Sequence, residues 1–427
     1  MAEIMTLDVF LGDTLVGKIS RLPGSGDLNI FVFDEGYLAN PQRPTLGLGF
    51  KGRTGNIAYE PRPYNTRVHP FFANLLPEGA LRDYITQRDG VNRERDFFLL
   101  LALGDDLPGA VIIRPSNGPG QINGDLGQAL TPPGAPLSAD QPLKFSLAGV
   151  QIKFSAVREA SGGLTIPAFG RGGSWIVKLP SERFEAVPEN EYAMMRLAAA
   201  VGLNVPEIDL VPVANIQGLP AGMREDDRAS VIRRFDREGD RRIHIEDFGQ
   251  VFQLFPGEKY TKASYGNIAR VIWTEMGEAG LREFIARLVF NVAIGNGDMH
   301  VKNWSLIYPD GRMPALAPSY DFLSTLTYVS GRETMALGLA GTKDFRGVSE
   351  SLLTHFASKA GLPVEIVLES AQATARRTVG VWADLRGQLD FPEKMKKAID
   401  AHMLEVPLIR DAMNSRQTIT SHRIGKK

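Results

Sequence analysis

The chain of 427 residues is 43% hydrophobic and 23% charged, an ordinary globular composition that is long enough for two or three domains. Its formal net charge of -1 gives no field over the whole molecule that would indicate nucleic acid or a membrane surface as the main partner. The absence of cysteine excludes disulfides and thiolate metal sites.

The start of the chain argues against export. Its first residues include the carboxylates of Glu3, Asp8 and Asp13, and they lack the basic region followed by an apolar core that a secretory signal requires. No stretch of about 18 uninterrupted apolar residues occurs elsewhere, which argues against a membrane span. These features predict a cytoplasmic protein without a membrane partner.

The first part of the chain predicts an α+β subdomain over residues 1–114. Short apolar stretches separated by turn residues predict a small antiparallel sheet between Thr6 and Phe50. From Pro70 to Leu103, apolar residues recur at threes and fours, which is the spacing of helices. Residues 115–142 are crowded with proline, glycine and small polar residues, so we expect a linker or a long surface loop there.

Strand-like segments return after this linker and predict a second sheet within residues 143–237, with a helix from Glu189 to Val201. Residues 238–427 are mostly helical in pattern. Apolar residues from Leu281 to Ile294 recur at helical spacing and predict an amphipathic helix that ends at Gly295.

Directly after this helix comes GNGDMHVKN, followed by a predicted hairpin and then SYDF. Asp298 and Asn303 have the D-x-x-x-x-N spacing of a kinase catalytic loop, and Asp321 follows the hairpin as a kinase metal ligand does. Phosphoryl transfer requires a carboxylate to accept the proton of the attacking hydroxyl and oxygen ligands for Mg²⁺. Each residue alone is typical of a turn or a helix cap, but their order predicts a kinase centre that uses ATP and Mg²⁺.

A kinase also requires a cation on the nucleotide phosphates. Lys178 interrupts the apolar strand WIVKLP and is the candidate, with a lysine extending from a sheet edge as the alternative. On the predicted helix that follows, Glu191 or Glu189 could orient this lysine as the Lys–Glu pair of protein kinases does.

The segment SLAGVQIK matches neither of the standard phosphate-loop motifs. Its backbone N–H groups and its lysine could still cradle phosphates if the segment turns tightly. The residues concerned are Ala148, Gly149, Val150, Gln151, Ile152 and Lys153. Further along, the backbone near Arg233, Arg234 and Phe235 could pair with adenine, with the Phe235 ring packed on the base or simply in the core.

The combination resembles the HipA family of kinase toxins from bacterial type II toxin–antitoxin modules. The resemblance covers nearly the whole chain, and the matching segments are, in order, FFANLLPEGALR, LLLALGDDLPGAV, SLAGVQIK, WIVKLP, NEYAMMRLAAAVGLNVPE, RFDR, IGNGDMHVKN and APSYDFLS. It implies an α+β, protein-kinase-like bilobal fold with an added N-terminal α+β subdomain and an all-helical C-terminal lobe. Residues 143–237 would be the ATP-binding small lobe and residues 238–427 the large lobe.

The resemblance also implies roles for the matched positions of both lobes. Asp298 would be the catalytic base, while Asn303 and Asp321 would bind Mg²⁺. Lys178 would bind the phosphates. The residues placed against the nucleotide are His300, Lys302 and Tyr320.

Ser146, just before the predicted phosphate loop, matches the serine that such kinases autophosphorylate. A phosphate there would add about two negative charges beside a loop meant for ATP phosphates, so repulsion would switch the enzyme off. The chain has Ile152 and Arg233 where relatives often carry acidic residues. Both positions can act through backbone groups.

The family further implies a helix-turn-helix antitoxin of the HipB type, operator DNA bound by the joint complex, and an aminoacyl-tRNA synthetase as substrate. Arg376 and Arg377, on a predicted helix, could contact DNA phosphates or lie on a solvated face. Two other functions stay open. One is a small-molecule or lipid kinase with the same centre, and the other is a pseudokinase that acts only as a DNA-binding corepressor, against which the intact Asp298, Asn303 and Asp321 argue.

Overall fold

The computed structural model describes residues 5–22, 27–79, 82–83, 86, 91–116, 153–158, 164–165, 173–181, 183–219, 224, 226–329 and 331–424. Residues 117–142 of the predicted linker and residues 146–152 of the predicted phosphate loop lie outside the described residues.

An antiparallel sheet forms the N-terminal part of the molecule, as the sequence predicts. Its strands are β1 (Met5–Leu11), β2 (Thr14–Leu22), β3 (Leu28–Phe33), β4 (Tyr64–Asn65) and β5 (Val111–Pro115), in the spatial order β4-β3-β2-β1-β5. The helices are α1 (Glu35–Ala39), α2 (Pro70–Ala73) and α3 (Asp96–Leu103). Alternate residues of β1 are buried, and they pack with an aromatic cluster that includes Phe31, Phe50 and Phe72.

A second sheet follows, with strands β6 (Lys153–Arg158), β7 (Leu164–Thr165), β8 (Trp175–Lys178), β9 (Ile208–Pro212), β10 (Ile216–Gln217) and β11 (Arg228–Arg233). Their spatial order is β10-β7-β6-β8-β11-β9. Helix α4 (Val187–Val201) packs against β9 and β11, and it ends at Gly202, whose φ of +89° suits a residue without a side chain. The predicted second sheet and its helix are therefore present.

The rest of the chain is mainly helical, and with the two sheets it gives the predicted α+β class. Its strands are β12 (Arg237–Glu238), β13 (Arg241–Arg242), β14 (His244–Asp247), β15 (Ser305–Tyr308) and β16 (Ala315–Leu316). Its helices are α5 (Phe248–Val251), α6 (Tyr265–Ile294), α7 (Glu350–Ala360), α8 (Val364–Leu385), α9 (Glu393–Glu405) and α10 (Pro407–Ile424). Strands β15 and β16 form the predicted hairpin, and β14 joins them in a three-stranded sheet. A bilayer-crossing segment is not found among the described helices, since each is too short or too polar.

Helix α6 is more deeply buried than the predicted amphipathic helix would be. Every residue from Phe284 to Ile294 is buried, including Arg287 and Asn291. A guanidinium nitrogen of Arg287 donates to the Ala317 carbonyl at 2.7 Å, and Asn291 Nδ2 donates to the Arg287 carbonyl at 2.9 Å. The amphipathic prediction was wrong here because these polar residues make hydrogen bonds inside the protein instead of facing water.

The N-terminal sheet domain, which comprises strands β1–β5 and helices α1–α3, contacts β14 through a buried carboxyl group. Glu246 is fully buried, and its Oε1 accepts hydrogen bonds from the Leu48 N–H at 2.9 Å and from the Tyr308 hydroxyl. Beside it, His244 Nε2 lies 2.8 Å from the Leu46 carbonyl oxygen. Burial raises the pKa of Glu246 to about 8, so this carboxyl group is mostly protonated at neutral pH.

The substitution Glu246→Gln should remove a pH-dependent loss of stability between about pH 7 and about pH 8. The folded-state pKa of about 8 lies above the ordinary 4.5, so the wild type loses stability as the pH rises through this window. The loss should be about 1 kcal/mol, since one pKa unit corresponds to about 1.4 kcal/mol. Burial lowers the pKa of the neighbouring His244 to about 4, which keeps its folded-state titration below the window.

Urea unfolding at the two pH values measures this effect through the free energy of unfolding. The change in this free energy from about pH 7 to about pH 8 should be more negative by about 1 kcal/mol in the wild type than in the glutamine variant. An equal decrease in the wild type and the variant would show that another group is responsible.

Candidate active site

The ammonium group of Lys178 lies between two carboxylates from distant parts of the chain. Its Nζ contacts Glu191 Oε1 on α4 and Asp321 Oδ1 in the segment after β16. Lys178 and Glu191 are both buried, and Ser230 Oγ on β11 donates to Glu191 Oε2 at 2.9 Å. Burial alone would lower the pKa of Lys178, but the two carboxylates outweigh it and raise the pKa above its ordinary value. The lysine therefore stays charged.

Of the two predicted carboxylate partners for Lys178, the structure selects Glu191. Glu189 instead forms an ion pair with Arg228, with Nε and Oε1 3.0 Å apart. The two residues are separated by about half a helical turn, so they lie on different sides of α4.

Asp298 and Asn303 lie in the loop after α6, and their contacts shape it. Asn303 Nδ2 donates to the Asp298 carbonyl oxygen at 2.8 Å. The Tyr260 hydroxyl donates to Asp298 Oδ1. Burial raises the pKa of the Asp298 carboxyl group, while the hydrogen bond from Tyr260 opposes this shift. A carboxylate with a raised pKa is a better proton acceptor than an ordinary aspartate.

One buried amide joins Asp298 to Asp321. Asn296 Oδ1 accepts a hydrogen bond from the Asp298 N–H at 3.0 Å, and its Nδ2 donates to the Asp321 carbonyl at 3.3 Å. Asp321 has a φ of +56°, in the left-handed region that non-glycine residues rarely adopt. Asn296 and the ion pair to Lys178 therefore hold a strained residue in place.

Helix α4 is tied to the segment after Asp321 by a second buried amide. Asn190 is fully buried, and its Nδ2 donates to the Ser324 carbonyl and to the Tyr328 hydroxyl, each at 3.1 Å. Its Oδ1 accepts from the Ser324 N–H at 3.1 Å. Because Asn190 precedes Glu191, the same turn of α4 contacts both Lys178 and the Asp321 segment.

The imidazole of His300 is buried and neutral. Burial and the nearby Lys259 lower its pKa to about 3, and the Tyr260 ring lies against it with centroids 4.9 Å apart. Its Nδ1 has no hydrogen-bond partner among the described residues. A buried polar atom in this state is suited to a hydrogen bond with a bound ligand.

Two residues predicted to contact the nucleotide lie next to each other. The Phe235 and Tyr320 rings have centroids 5.8 Å apart, and the Tyr320 hydroxyl donates to the Lys302 carbonyl oxygen at 2.8 Å. The ammonium of Lys302 lies elsewhere, 2.8 Å from Glu78 Oε1 in the N-terminal sheet domain. The nucleotide contact predicted for Lys302 stays a prediction.

The backbone N–H groups of Arg233 and Arg234 are engaged in hydrogen bonds at the second sheet. Their N–H groups donate to the carbonyls of Glu207 and Ser174 at 2.9 and 2.8 Å. The buried guanidinium of Arg234 forms a bidentate pair with Asp236, at 2.9 and 2.8 Å. An adenine contact in this segment would therefore have to use other groups, such as those of Phe235.

The remaining predicted residues are placed only in part. Ser146 and Ala148 to Ile152 lie outside the described residues, as does the side chain of Lys153. The backbone of Lys153 begins β6 directly opposite Lys178 on β8. Arg376 and Arg377 are exposed on α8.

The donor set fits a hard divalent cation beside nucleotide phosphates. Carboxylate and amide oxygens are ligands that Mg²⁺ prefers, and it usually takes only one or two from the protein, completing its shell with water and phosphate. Asn303 uses its Nδ2 toward Asp298, which leaves its amide oxygen as the atom able to bind a cation. Within the described residues, no group of three or more His, Cys, Asp or Glu side chains is placed to hold a metal ion.

Sequence analysis missed three contributors to this site. Asn296 lies in the GNGD segment two residues before Asp298, and this position could have indicated a role. Tyr260 and Asn190 reach the site from segments 38 and 134 residues away from their partners, and no local pattern signals such contacts.

The fold and the ion-paired lysine define a kinase-type chain with an additional N-terminal subdomain. The family model of the HipA N-terminal domain matches residues 7–114, and that of the HipA-like C-terminal domain matches residues 145–382. The chain therefore belongs to the HipA-like kinase family.

Similar proteins support this assignment. Y4dM of Sinorhizobium fredii, which is named as a kinase, is 47% identical over 96% of this chain and 99% of its own length. The serine/threonine-protein kinase toxin HipA of Shewanella oneidensis is 25% identical over 88% of each chain. The solved structure of Shewanella oneidensis MR-1 HipA with HipB and operator DNA has a TM-score of 0.70 at 22% identity, covering 96% of this chain and 97% of that one. This likeness shows a shared fold.

The substitution Asn190→Ala should lower the free energy of unfolding by about 1–3 kcal/mol, because it leaves the buried N–H of Ser324 without its partner and removes one of the two side-chain donors to the Ser324 carbonyl. Urea unfolding measures the change. Asn215→Ala, at an exposed turn, is the matched control and should change stability by less than about 0.5 kcal/mol. Similar values for the two variants would mean that Asn190 does not tie α4 to the Asp321 segment.

Proposed function

We propose that the chain is an ATP- and Mg²⁺-dependent serine/threonine protein kinase with Asp298 as its catalytic base. The observation that carries this proposal is the contact of one buried ammonium, Lys178, with both Glu191 and Asp321. Protein kinases require a phosphate-binding lysine paired with a helical glutamate, beside a metal-binding aspartate. The amide of Asn296 adds Asp298 to the same assembly.

In the proposed reaction, Asp298 accepts the proton of a serine hydroxyl while the new oxygen–phosphorus bond forms and the bond to the departing ADP oxygen breaks. Mg²⁺ held by Asn303 and Asp321 would neutralise charge on the phosphates. Lys178 would bind the phosphates, and the neutral His300 offers Nδ1 for a hydrogen bond. The raised pKa of Asp298 favours the proton transfer.

We further propose that the kinase phosphorylates its own Ser146 and acts as the toxin of a toxin–antitoxin module. The solved HipA complex holds HipB and operator DNA, and by analogy the partners here are a helix-turn-helix antitoxin of the HipB type and operator DNA. The exposed Arg376 and Arg377 are available for contacts with DNA phosphates. An aminoacyl-tRNA synthetase is the proposed substrate, on family resemblance alone.

The substitution Asp298→Asn should reduce phosphoryl transfer at least about a hundredfold, since an amide cannot accept the proton. Purified protein is incubated with labelled ATP and Mg²⁺, and the label on Ser146 is measured by mass spectrometry. Asp240→Asn, in the exposed turn between β12 and β13, is the control and should retain activity. Label on a lipid or a small molecule in a cell extract, or no label at all, would refute the proposal.

Expression without the antitoxin should arrest growth, and co-expression of the antitoxin should relieve the arrest. The Asp298→Asn variant should not arrest growth at the same protein level, because the proposed toxic act is phosphorylation. Colony counts after induction measure this. Equal arrest by the variant would assign toxicity to binding, as for a pseudokinase corepressor.

A further inference from the structure

The segment FFANLLPEG of the N-terminal sheet domain contacts the catalytic loop, although the proposed reaction gives it no role. Glu78 in this segment lies between two ammonium groups. Its Oε1 is 2.8 Å from Lys302 Nζ, and its Oε2 is 3.1 Å from Lys259 Nζ. Lys302 immediately precedes Asn303, the proposed metal ligand.

A second residue of this segment strengthens the contact with Lys302. The carbonyl oxygen of Asn74 accepts a hydrogen bond from Lys302 Nζ at 3.2 Å. The buried Asn74 side chain donates from Nδ2 to the Leu254 carbonyl at 2.7 Å. The segment is thus attached to the catalytic loop and to the chain that leads into Lys259 and Tyr260.

The other partner of Glu78 leads to Asp298. Lys259 precedes Tyr260, whose hydroxyl donates to Asp298 Oδ1 and whose ring packs on His300. Glu78 therefore contacts the residue next to Asn303 and the residue next to the tyrosine bound to Asp298. Both ends of the D-x-x-x-x-N loop are tied to one carboxylate.

We propose that Glu78 is a positioning residue for phosphoryl transfer, because it holds the catalytic loop through Lys302 and Lys259. The inference rests on the kinase function proposed above. It makes the N-terminal sheet domain part of the catalytic assembly, in addition to any role in partner binding.

Glu78 stays ionised in its contact with Lys302 and Lys259. Burial alone would raise the pKa of Glu78, but Lys302 and Lys259 outweigh it and lower the pKa to about 2. Glu78 is therefore ionised at any pH at which the protein would function. The side chains of Lys302 and Lys259 are 14% and 22% exposed, so solvent screens both contacts less than it screens an exposed ion pair.

The test uses the full-length protein with the variants Glu78→Gln and Lys51→Gln. Lys51 forms the matched ion pair, since its Nζ lies 2.7 Å from Glu275 Oε2 on α6 and also joins the N-terminal sheet domain to the helical region, away from the loop. Glu78→Gln should lower kcat by roughly tenfold to a hundredfold, because small displacements of a catalytic group have effects of this size. Its KM for ATP should change less than about threefold, since Lys178, Glu191 and Asp321 are untouched.

Lys51→Gln should leave kcat within about twofold. Thermal melting checks that both variants are folded at the assay temperature. A double-mutant cycle of Glu78→Gln with Lys302→Met tests whether Glu78 acts through Lys302. If it does, the double variant should be no slower than the slower of the two single variants. The effect of Lys302→Met on the KM for ATP separates a nucleotide contact from positioning.

The outcomes are distinguishable. If the wild type is inactive, the proposed function fails, and this inference with it. If the wild type is active and Glu78→Gln has the same kcat as Lys51→Gln, the inference alone is overturned. The inference alone is also overturned if the effects of Glu78→Gln and Lys302→Met on kcat simply multiply in the double variant. If Glu78→Gln does not fold, Glu78→Asp replaces it, since it keeps the charge and should retain an intermediate kcat.

Discussion

The whole arrangement depends on one buried cation, the ammonium of Lys178. A charge removed from water in this way is tolerated only with good ionic partners. Glu191 and Asp321 supply them from 13 and 143 residues away along the chain. The requirement therefore joins strand β8, helix α4 and the segment after β16, and so brings the second sheet and the helical region together. Removing either carboxylate would leave a buried charge poorly compensated, so each element constrains the other two.

Two buried amide side chains add further contacts between the segments that Lys178 joins. Asn190 fixes the Asp321 segment to α4, and Asn296 fixes Asp321 to the catalytic loop. An amide offers both a donor and an acceptor, so it can satisfy backbone groups of two segments without adding charge. Several independent contacts therefore hold Asp321 in place. They explain how it keeps a positive φ, because a strained backbone conformation persists only where the surrounding structure over-determines it.

The sequence predicts those parts of the fold and site that are encoded locally. The D-x-x-x-x-N spacing, the β15–β16 hairpin and the Lys178–Glu191 pair follow from periodicity and known kinase chemistry. The deep burial of Arg287 and the roles of Tyr260 and Glu78 do not, because they depend on which distant segments meet. A polar residue in a sequence predicts a solvent-facing side chain by default, and only the three-dimensional arrangement reveals its internal partner.

The contact of the N-terminal sheet domain with the rest of the chain contains two carboxyl groups in opposite states. Among the described residues, Glu246 meets only neutral donors, from Leu48 and Tyr308, and burial raises its pKa to about 8. Glu78 meets two ammonium groups, which lower its pKa to about 2 although burial acts in the opposite direction. Burial alone therefore does not decide the charge; the position of the cations does. The two lysines that contact Glu78 lie in and next to the catalytic loop, so this ionic contact is placed where a fixed geometry matters for phosphoryl transfer. The neutral contact of Glu246 lies at β14, where packing suffices.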